Sequence, residues 1–287
     1  MIIDDKFTLS YTVPPSYIDG KGRFTALGIA SLAQDLAAAH YSSAGLSLLH
    51  MQKMGITWVI SKQHFEIKDY PLWADRITVK TWAQPPKGLF CFRDFAYHYT
   101  KNGKNKNLDE AFKSGSYNYH LNDLQTESED ELCVRGSSCW IIVDLKTGQP
   151  LPPDKKTMGS LTFNTEHLEG KVFPKINLNT DWDIETDFTP TLLDIDINSH
   201  VNNLNYIRWI LSFMNEEFCK TRLIKTLDTN FVSSAKYGEH LICRCSKPEN
   251  NICVHSIVRK NDGSEVFKAR TEWADETELS RPLKIAD

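Results

Sequence analysis

Eight consecutive residues, Asp196-Ile197-Asn198-Ser199-His200-Val201-Asn202-Asn203, gather a carboxylate, several amides and an imidazole. An imidazole takes or gives a proton near neutral pH, and an amide offers both a donor and an acceptor. A neighbouring carboxylate can hold both in place. Asp196, Asn198 and His200 alternate, so an extended lead-in would turn all three side chains to one side, ready to grip a single substrate group. Downstream, Ile207, Ile210, Leu211, Met214 and Phe218 recur at helical spacing, which predicts a buried helix from Asn203 to about Lys220. The polar trio then stands where that helix's free N–H groups point. An isolated Asp-x-Asn-x-His triplet is also compatible with a plain capped helix start. Tyr206 and Trp209 are read as packing rather than chemistry.

The body that carries this segment is 287 residues long, which suggests two domains of ordinary size. With 41% hydrophobic and 24% charged residues, the balance is that of a globular chain. No stretch approaches the roughly 20 apolar residues of a membrane span, and Met1 to Lys6 lacks a basic region followed by an apolar core, so a cytoplasmic protein is expected. The net charge of −4 gives no overall attraction to nucleic acid. The 7 cysteines are scattered and read as reduced thiols, neither a zinc site nor a disulfide frame. Cys243 and Cys245 share a strand face, but two thiols alone make a poor metal site. His40, His64, His98 and His255 are expected at the surface or as satisfied core residues.

An internal repeat organises the rest. Tyr11-Thr12-Val13 leads to Asp19 as Phe188-Thr189-Pro190 leads to Asp196, and each aspartate precedes an apolar helix, the first from Thr25 to about Ser43. After each helix comes a turn of a small residue and an acid, Ala74-Asp75 and Gly238-Glu239, and then strand-forming runs. These runs are Ile77 to Trp82, Phe90 to Tyr99 and Cys139 to Val143 in one half, and Leu241 to Cys245, Ile252 to Arg259 and Glu265 to Trp273 in the other. A helix apolar around most of its circumference must be covered on most sides, and a curved antiparallel sheet does that. The expected fold is therefore α+β, a tandem hotdog. Residues 1–155 make the first unit, 156–185 a proline-containing linker and 186–287 the second unit. Lys101 to Asn107 reads as a hairpin tip, and Asp109 to Glu131 as an additional hairpin.

The run Asp-x-Asn-x-His-Val-Asn-Asn-x-x-Tyr-x-x-Trp at 196–209 closely resembles the catalytic signature of acyl-acyl-carrier-protein (acyl-ACP) thioesterases, which are double-hotdog enzymes. Gly55 to Ile60, Tyr70-Pro71, Thr81-Trp82, Arg93-Asp94-Phe95 and Ser138 to Asp144 follow in that family's order. The resemblance implies hydrolysis of a fatty acyl thioester on acyl carrier protein (ACP), releasing free fatty acid and holo-ACP, with no cofactor and no metal. It implies that Asn198 holds the thioester oxygen or the water, that His200 polarises the thioester or positions the nucleophile, and that Asp196 orients both. Backbone N–H groups at the following helix start would serve the developing oxyanion. The family's further acid falls on Ser234 and its neighbouring cysteine on Ala235, so the expected group is missing. Two alternatives therefore stand beside acyl-ACP hydrolysis: an acyl-CoA thioesterase, and a non-hydrolytic acyl-thioester binding protein. Lys21 and Arg23 replace Asn198 and His200 in the first half, which makes it the non-catalytic, pocket-shaping half, with Asp19 expected as a helix-leading cap. An acidic carrier needs a basic face; Lys101, Lys104 and Lys106, or Lys220, Arg222 and Lys225, are candidates. A monomer and a homodimer are equally compatible with two halves.

Overall fold

The structure, a computed structural model, describes residues 2–3, 5–101, 103–104, 129–168, 173–178 and 181–283. Two compact units emerge. The first holds Met1–Val59, Ile67–Gly170 and Leu279–Asp287; the second holds Ile60–Glu66 and Lys171–Glu278. The division falls inside the 156–185 segment expected as a linker, yet that segment also contains a short helix and the start of a strand.

In chain order the first unit contains β1 (Ile2–Ile3), β2 (Lys6–Thr12), α1 (Ala26–Ser43), α2 (Leu48–Lys53), the ends of β3 (Ile56–Ile67), β4 (Arg76–Ala83), β5 (Cys91–Thr100), β6 (Glu129–Asp144), β7 (Pro150–Leu151) and α3 (Lys155–Met158). The antiparallel order is β1-β2-β4-β5-β6, with β7 paired to β6. Helix α1 starts where Thr25 Oγ1 accepts the Gly28 N–H at 3.1 Å. Its Ala-rich sequence then buries Ala26 through Ala33 except Leu27, and Leu36, Ala37, His40 and Tyr41 beyond. Gly28 is required by space: a Cβ there would stand 2.5 Å from the Phe24 ring and 2.8 Å from Tyr17 Cβ. Trp82, Phe95, Tyr97 and Tyr99 supply the bulk on the strands.

The C-terminal strap belongs to this unit. Tyr70 N–H donates to Leu279 O at 2.7 Å, Leu283 packs against Ala74 and lies over Gly22, and the Arg281 guanidinium grips both oxygens of the fully buried Asp75.

The second unit contains β8 (Trp182–Phe188), α4 (Asn203–Ser212), α5 (Glu216–Cys219), β9 (Arg222–Phe231), β10 (Leu241–Ser246), β11 (Ile252–Arg259), β12 (Glu265–Asp275) and α6 (Glu276–Leu279). Its antiparallel order is the 60–66 part of β3, then β9-β12-β11-β10-β8. Helix α4 lays Tyr206, Ile207, Trp209 and Ile210 onto β10 and β11. Tyr206 stacks on Phe267, and Trp209 packs against Phe188 with ring centres 4.6 Å apart.

Several expectations change. The helix predicted to Lys220 ends at Ser212, because Asn215 caps a new one, its side chain accepting the Phe218 N–H at 3.1 Å. His40 and His255 are fully buried, with His40 Nε2 and His255 Nδ1 lacking a hydrogen-bond partner among the described residues. Burial drives both imidazoles down to a pKa of about 3, with the Arg93 charge adding to the effect at His40. Most of the expected hairpin tip, and the additional hairpin up to residue 128, lie outside the described residues. All seven cysteines are free thiols, and no group among the described residues is arranged to hold a metal ion. Among the described residues, no helix is long and apolar enough to cross a membrane.

Candidate active site

Residues 195–201 fold into a tight turn rather than the extended lead-in expected from the alternation. Ile195 and Val201 form a bridge, Asp196 N–H donates to His200 O at 2.8 Å, and Ser199 N–H donates to Asp196 O at 3.0 Å. Ser199 adopts the left-handed backbone, φ 61°. The Asp196 carboxylate is consumed by this turn: one oxygen accepts from Asn198 N–H at 2.8 Å and from His200 N–H at 3.4 Å. It thus shapes the backbone that carries the other two groups, as an Asx-turn residue does. The His200 ring is half-buried and makes no hydrogen bond or ion pair among the described residues, so its nitrogens stay open to a substrate or a water.

The same turn occurs in the first unit, hydrogen bond for hydrogen bond. Asp19 Oδ1 accepts from Lys21 N–H at 2.9 Å and Arg23 N–H at 3.0 Å, Asp19 N–H donates to Arg23 O at 2.9 Å, and Gly22 takes the left-handed backbone. Thr25, not Asp19, caps the helix; Asp19 builds the turn. One difference decides the chemistry. Arg23 Nε closes onto Asp19 Oδ2 at 2.7 Å, so the first unit's pair neutralises itself, whereas His200 leaves Asp196's second oxygen alone.

Ser234 comes to this turn through the backbone. Val201 N–H donates to Ala235 O at 2.9 Å, and Ala235 N–H donates to Tyr206 Oη at 2.9 Å. The expected packing role of Tyr206 holds, and its hydroxyl adds a pin on the segment; burial pushes that hydroxyl up to about 12. Ser234 itself is exposed, and its hydroxyl makes no hydrogen bond among the described residues. Arg259 clamps this segment from the other side, donating to Ser234 O at 2.7 Å, Ser233 Oγ at 2.9 Å and Glu239 Oε2 at 3.1 Å. Glu239 is therefore an ion-pair partner rather than a wholly solvated turn acid.

Two structural residues of the site escape the motif. Asp194, buried at 4% exposure, closes a capping box with Thr191, pairs with Arg208 and accepts Asn202 N–H through its carbonyl at 2.8 Å. The Thr-x-x-Asp spacing at 191–194 is a readable signal. Arg259 offers none, since it reaches the site from a distant strand. At the helix start, the Leu204 N–H is taken by the Asn202 side chain at 3.0 Å, so the N–H groups expected to serve an oxyanion are in part already committed. Of the basic clusters, Lys104 is bound to Asp69 and Glu131, Lys220 to Glu217, and Lys225 lies 3.8 Å from Glu272, while Lys106 lies outside the described residues.

Two units, each with a long or amphipathic helix against an antiparallel sheet and one bearing an Asp-Asn-His turn, define a tandem hotdog of the thioesterase class. The sequence matches the acyl-ACP thioesterase N-terminal domain over residues 4–113 and the acyl-ACP thioesterase C-terminal domain over residues 178–275. The chain belongs to the acyl-ACP thioesterase family. It is 26% identical over 256 residues to the palmitoyl-acyl carrier protein thioesterase of Cuphea hookeriana, a chloroplastic protein, covering 84% of this chain and 55% of that one. It is also 26% identical over 289 residues to the oleoyl-acyl carrier protein thioesterase 2 of Arabidopsis thaliana, covering 85% and 70%. The chain thus spans little more than half the length of the first of these relatives. The crystal structure of an acyl-ACP thioesterase from Bacteroides thetaiotaomicron superposes with a TM-score of 0.74 at 21% identity, covering 94% of this chain and 98% of that one. The 12:0-ACP thioesterase from Umbellularia californica gives 0.78 at 19%, covering 96% and 99%.

Proposed function

We propose that the chain hydrolyses the thioester of a fatty acyl group carried on ACP, with release of free fatty acid and the carrier thiol. The observation that carries this reading is the second unit's turn, in which Asp196 fixes the backbone and the His200 ring makes no hydrogen bond or ion pair among the described residues. In the proposed reaction a water attacks the thioester carbonyl, His200 takes the water's proton, and the Asn198 amide donates to the carbonyl oxygen as it gains charge. Collapse of the tetrahedral adduct breaks the C–S bond, and the proton returned by His200 leaves with the thiol. Asp196 acts by holding the turn, and Tyr206 by pinning the facing segment through Ala235.

Ser234 favours a second reading. A serine hydroxyl cannot act as an unaided base, so the fold could serve as an acyl-thioester binder, or as a slow hydrolase in which His200 works alone. Coenzyme A thioesters are the nearest alternative substrate. A cytoplasmic location and an acidic carrier as partner belong to the same proposal.

The test is thiol release from acyl-ACP and acyl-CoA of several chain lengths by the parent, by His200→Ala and by Ser234→Glu. Release by the parent that drops at least about 100-fold in His200→Ala establishes the hydrolase and names its carrier. A silent parent whose Ser234→Glu variant turns over would establish the binder.

A further inference from the structure

In the second unit, β3, β9 and β12 place Lys62, Asn230 and Lys268 side by side on one rung, and His64, Asp228 and Arg270 on the next rung of the same face. This face points away from α4, because Phe231 and Phe267, which pack on Tyr206, alternate with Asn230 and Lys268. Residues 173–176 cross it and close a cavity of about 220 Å³ whose polar lining includes Lys62, Lys175, Lys268, Asn230 and Asp228.

Charge pairing leaves this cavity positive. The Asp228 carboxylate, 2% exposed, is hydrogen-bonded to His64 Nδ1 at 2.7 Å and lies 3.5 Å from Arg270 Nη1, a guanidinium that also pairs with Glu272 at 3.3 Å. Lys268 pairs with Glu265 at 3.2 Å. Lys62 and Lys175 make no ion pair among the described residues, and the Asn230 amide makes no hydrogen bond there. Two ammonium groups without an ion pair among the described residues, Lys62 half-buried and Lys175 exposed, thus line one pocket in a chain whose net charge is −4. Like charges facing one pocket repel, and an anion between them relieves the repulsion.

We propose that this cavity binds a phosphate group, held by the Lys62, Lys175 and Lys268 ammonium groups with the Asn230 amide as a neutral donor. Three separate cationic donors match the several oxygens of a tetrahedral anion better than the two of a carboxylate, and lysine contributes to phosphate sites as a point charge. A metal cation is disfavoured by the same charges. The site lies on the sheet face opposite the helix and stands whether or not the thioester reading holds. Inorganic phosphate, coenzyme A and the phosphopantetheine arm of a carrier share the required chemistry.

The experiment is a thermal melt of the full chain with inorganic phosphate against sodium chloride at matched ionic strength, repeated for Lys62→Gln/Lys175→Gln and for Lys62→Arg/Lys175→Arg. The expected result is a phosphate-dependent rise in Tm that saturates by mass action. Its midpoint should move to roughly tenfold higher phosphate in the Gln pair and stay within a few-fold in the Arg pair. Displacement by coenzyme A or by phosphopantetheine, followed by calorimetry, then assigns the source. A melt that does not distinguish phosphate from chloride overturns the proposal, as does a rise that survives unchanged in a folded Gln pair.

Discussion

At the scale of single residues, the two turns at 19–23 and 196–200 share one backbone and differ in whether the last side chain pairs with the aspartate. The backbone hydrogen bonds are the same in both, and the outcome is set by whether residue 23 or residue 200 closes onto its aspartate. Replacing Asp196 with Asn keeps an acceptor for Asn198 N–H, so Asp196→Asn is expected to retain more thiol release than Asp196→Ala, which loses the turn. Steady-state rates of the two variants check this. Tyr206→Phe removes the acceptor of a fully buried N–H at Ala235, which should cost about 1–3 kcal/mol by urea denaturation and also lower kcat, because Ser234 and Ala235 lose their pin. These roles were only partly legible in the sequence. Residue types and their spacing pointed to Asp196, Asn198 and His200, but the extended geometry inferred from alternation was wrong, because an aspartate followed by amides favours local backbone hydrogen bonds over extension. Arg259 was beyond reach, since nothing local ties it to Ser234.

At the scale of elements, α1 and α4 illustrate two ways of covering a helix. Helix α1 is buried on most sides and has no room at Gly28, so Gly28→Ala should destabilise the chain by about 1–3 kcal/mol through overpacking despite alanine's better helix propensity. The sign of the change in denaturation midpoint is the check. Helix periodicity and strand composition were readable and placed the starts of both helices, and the strands β4, β5, β10, β11 and β12, within a few residues, while β3, β8 and β9 were not delimited. The exception at Ser212 follows from competition: the apolar stripe through Met214 and Phe218 argues for continuation, while the Asn215 side chain satisfies a fresh set of N–H groups. Buried histidines add an element-level pH response. In the folded state His40 and His255 titrate at about 3, below the ordinary value near 6.5, so between these limits the unfolded chain binds protons that the folded one refuses. Stability therefore falls as pH drops from about 6.5 toward 3, by up to about 1.4 kcal/mol per pH unit for each histidine. His255→Gln, which keeps a donor for Thr271 without titrating, should flatten the urea midpoint against pH in that window.

At the scale of the whole molecule, neither unit is a continuous stretch of chain. Residues 60–66 serve the second unit, and 279–283 return to the first, where Arg281 meets an aspartate with no solvent exposure. Removing that partner strands a buried charge, so Arg281→Ala should cost about 3 kcal/mol, while Lys225→Ala at an exposed pair should cost under about 1 kcal/mol. Parallel denaturation curves separate the two. The sequence reading, which drew each unit as one block, missed this interleaving because composition and periodicity report what an element is and not which core receives it.

The C-terminal strap carries a consequence for biosynthesis. A ribosome releases Tyr70, Ala74 and Asp75 some two hundred residues before it releases the Leu279, Leu283 and Arg281 that meet them. Throughout that interval the nascent first unit carries a buried carboxylate without its guanidinium partner, and its completion waits for the segment from Leu279 onward. Stalled nascent chains ending before residue 279 should accordingly be cut by protease within the first unit, and chains that have exposed residue 283 should resist.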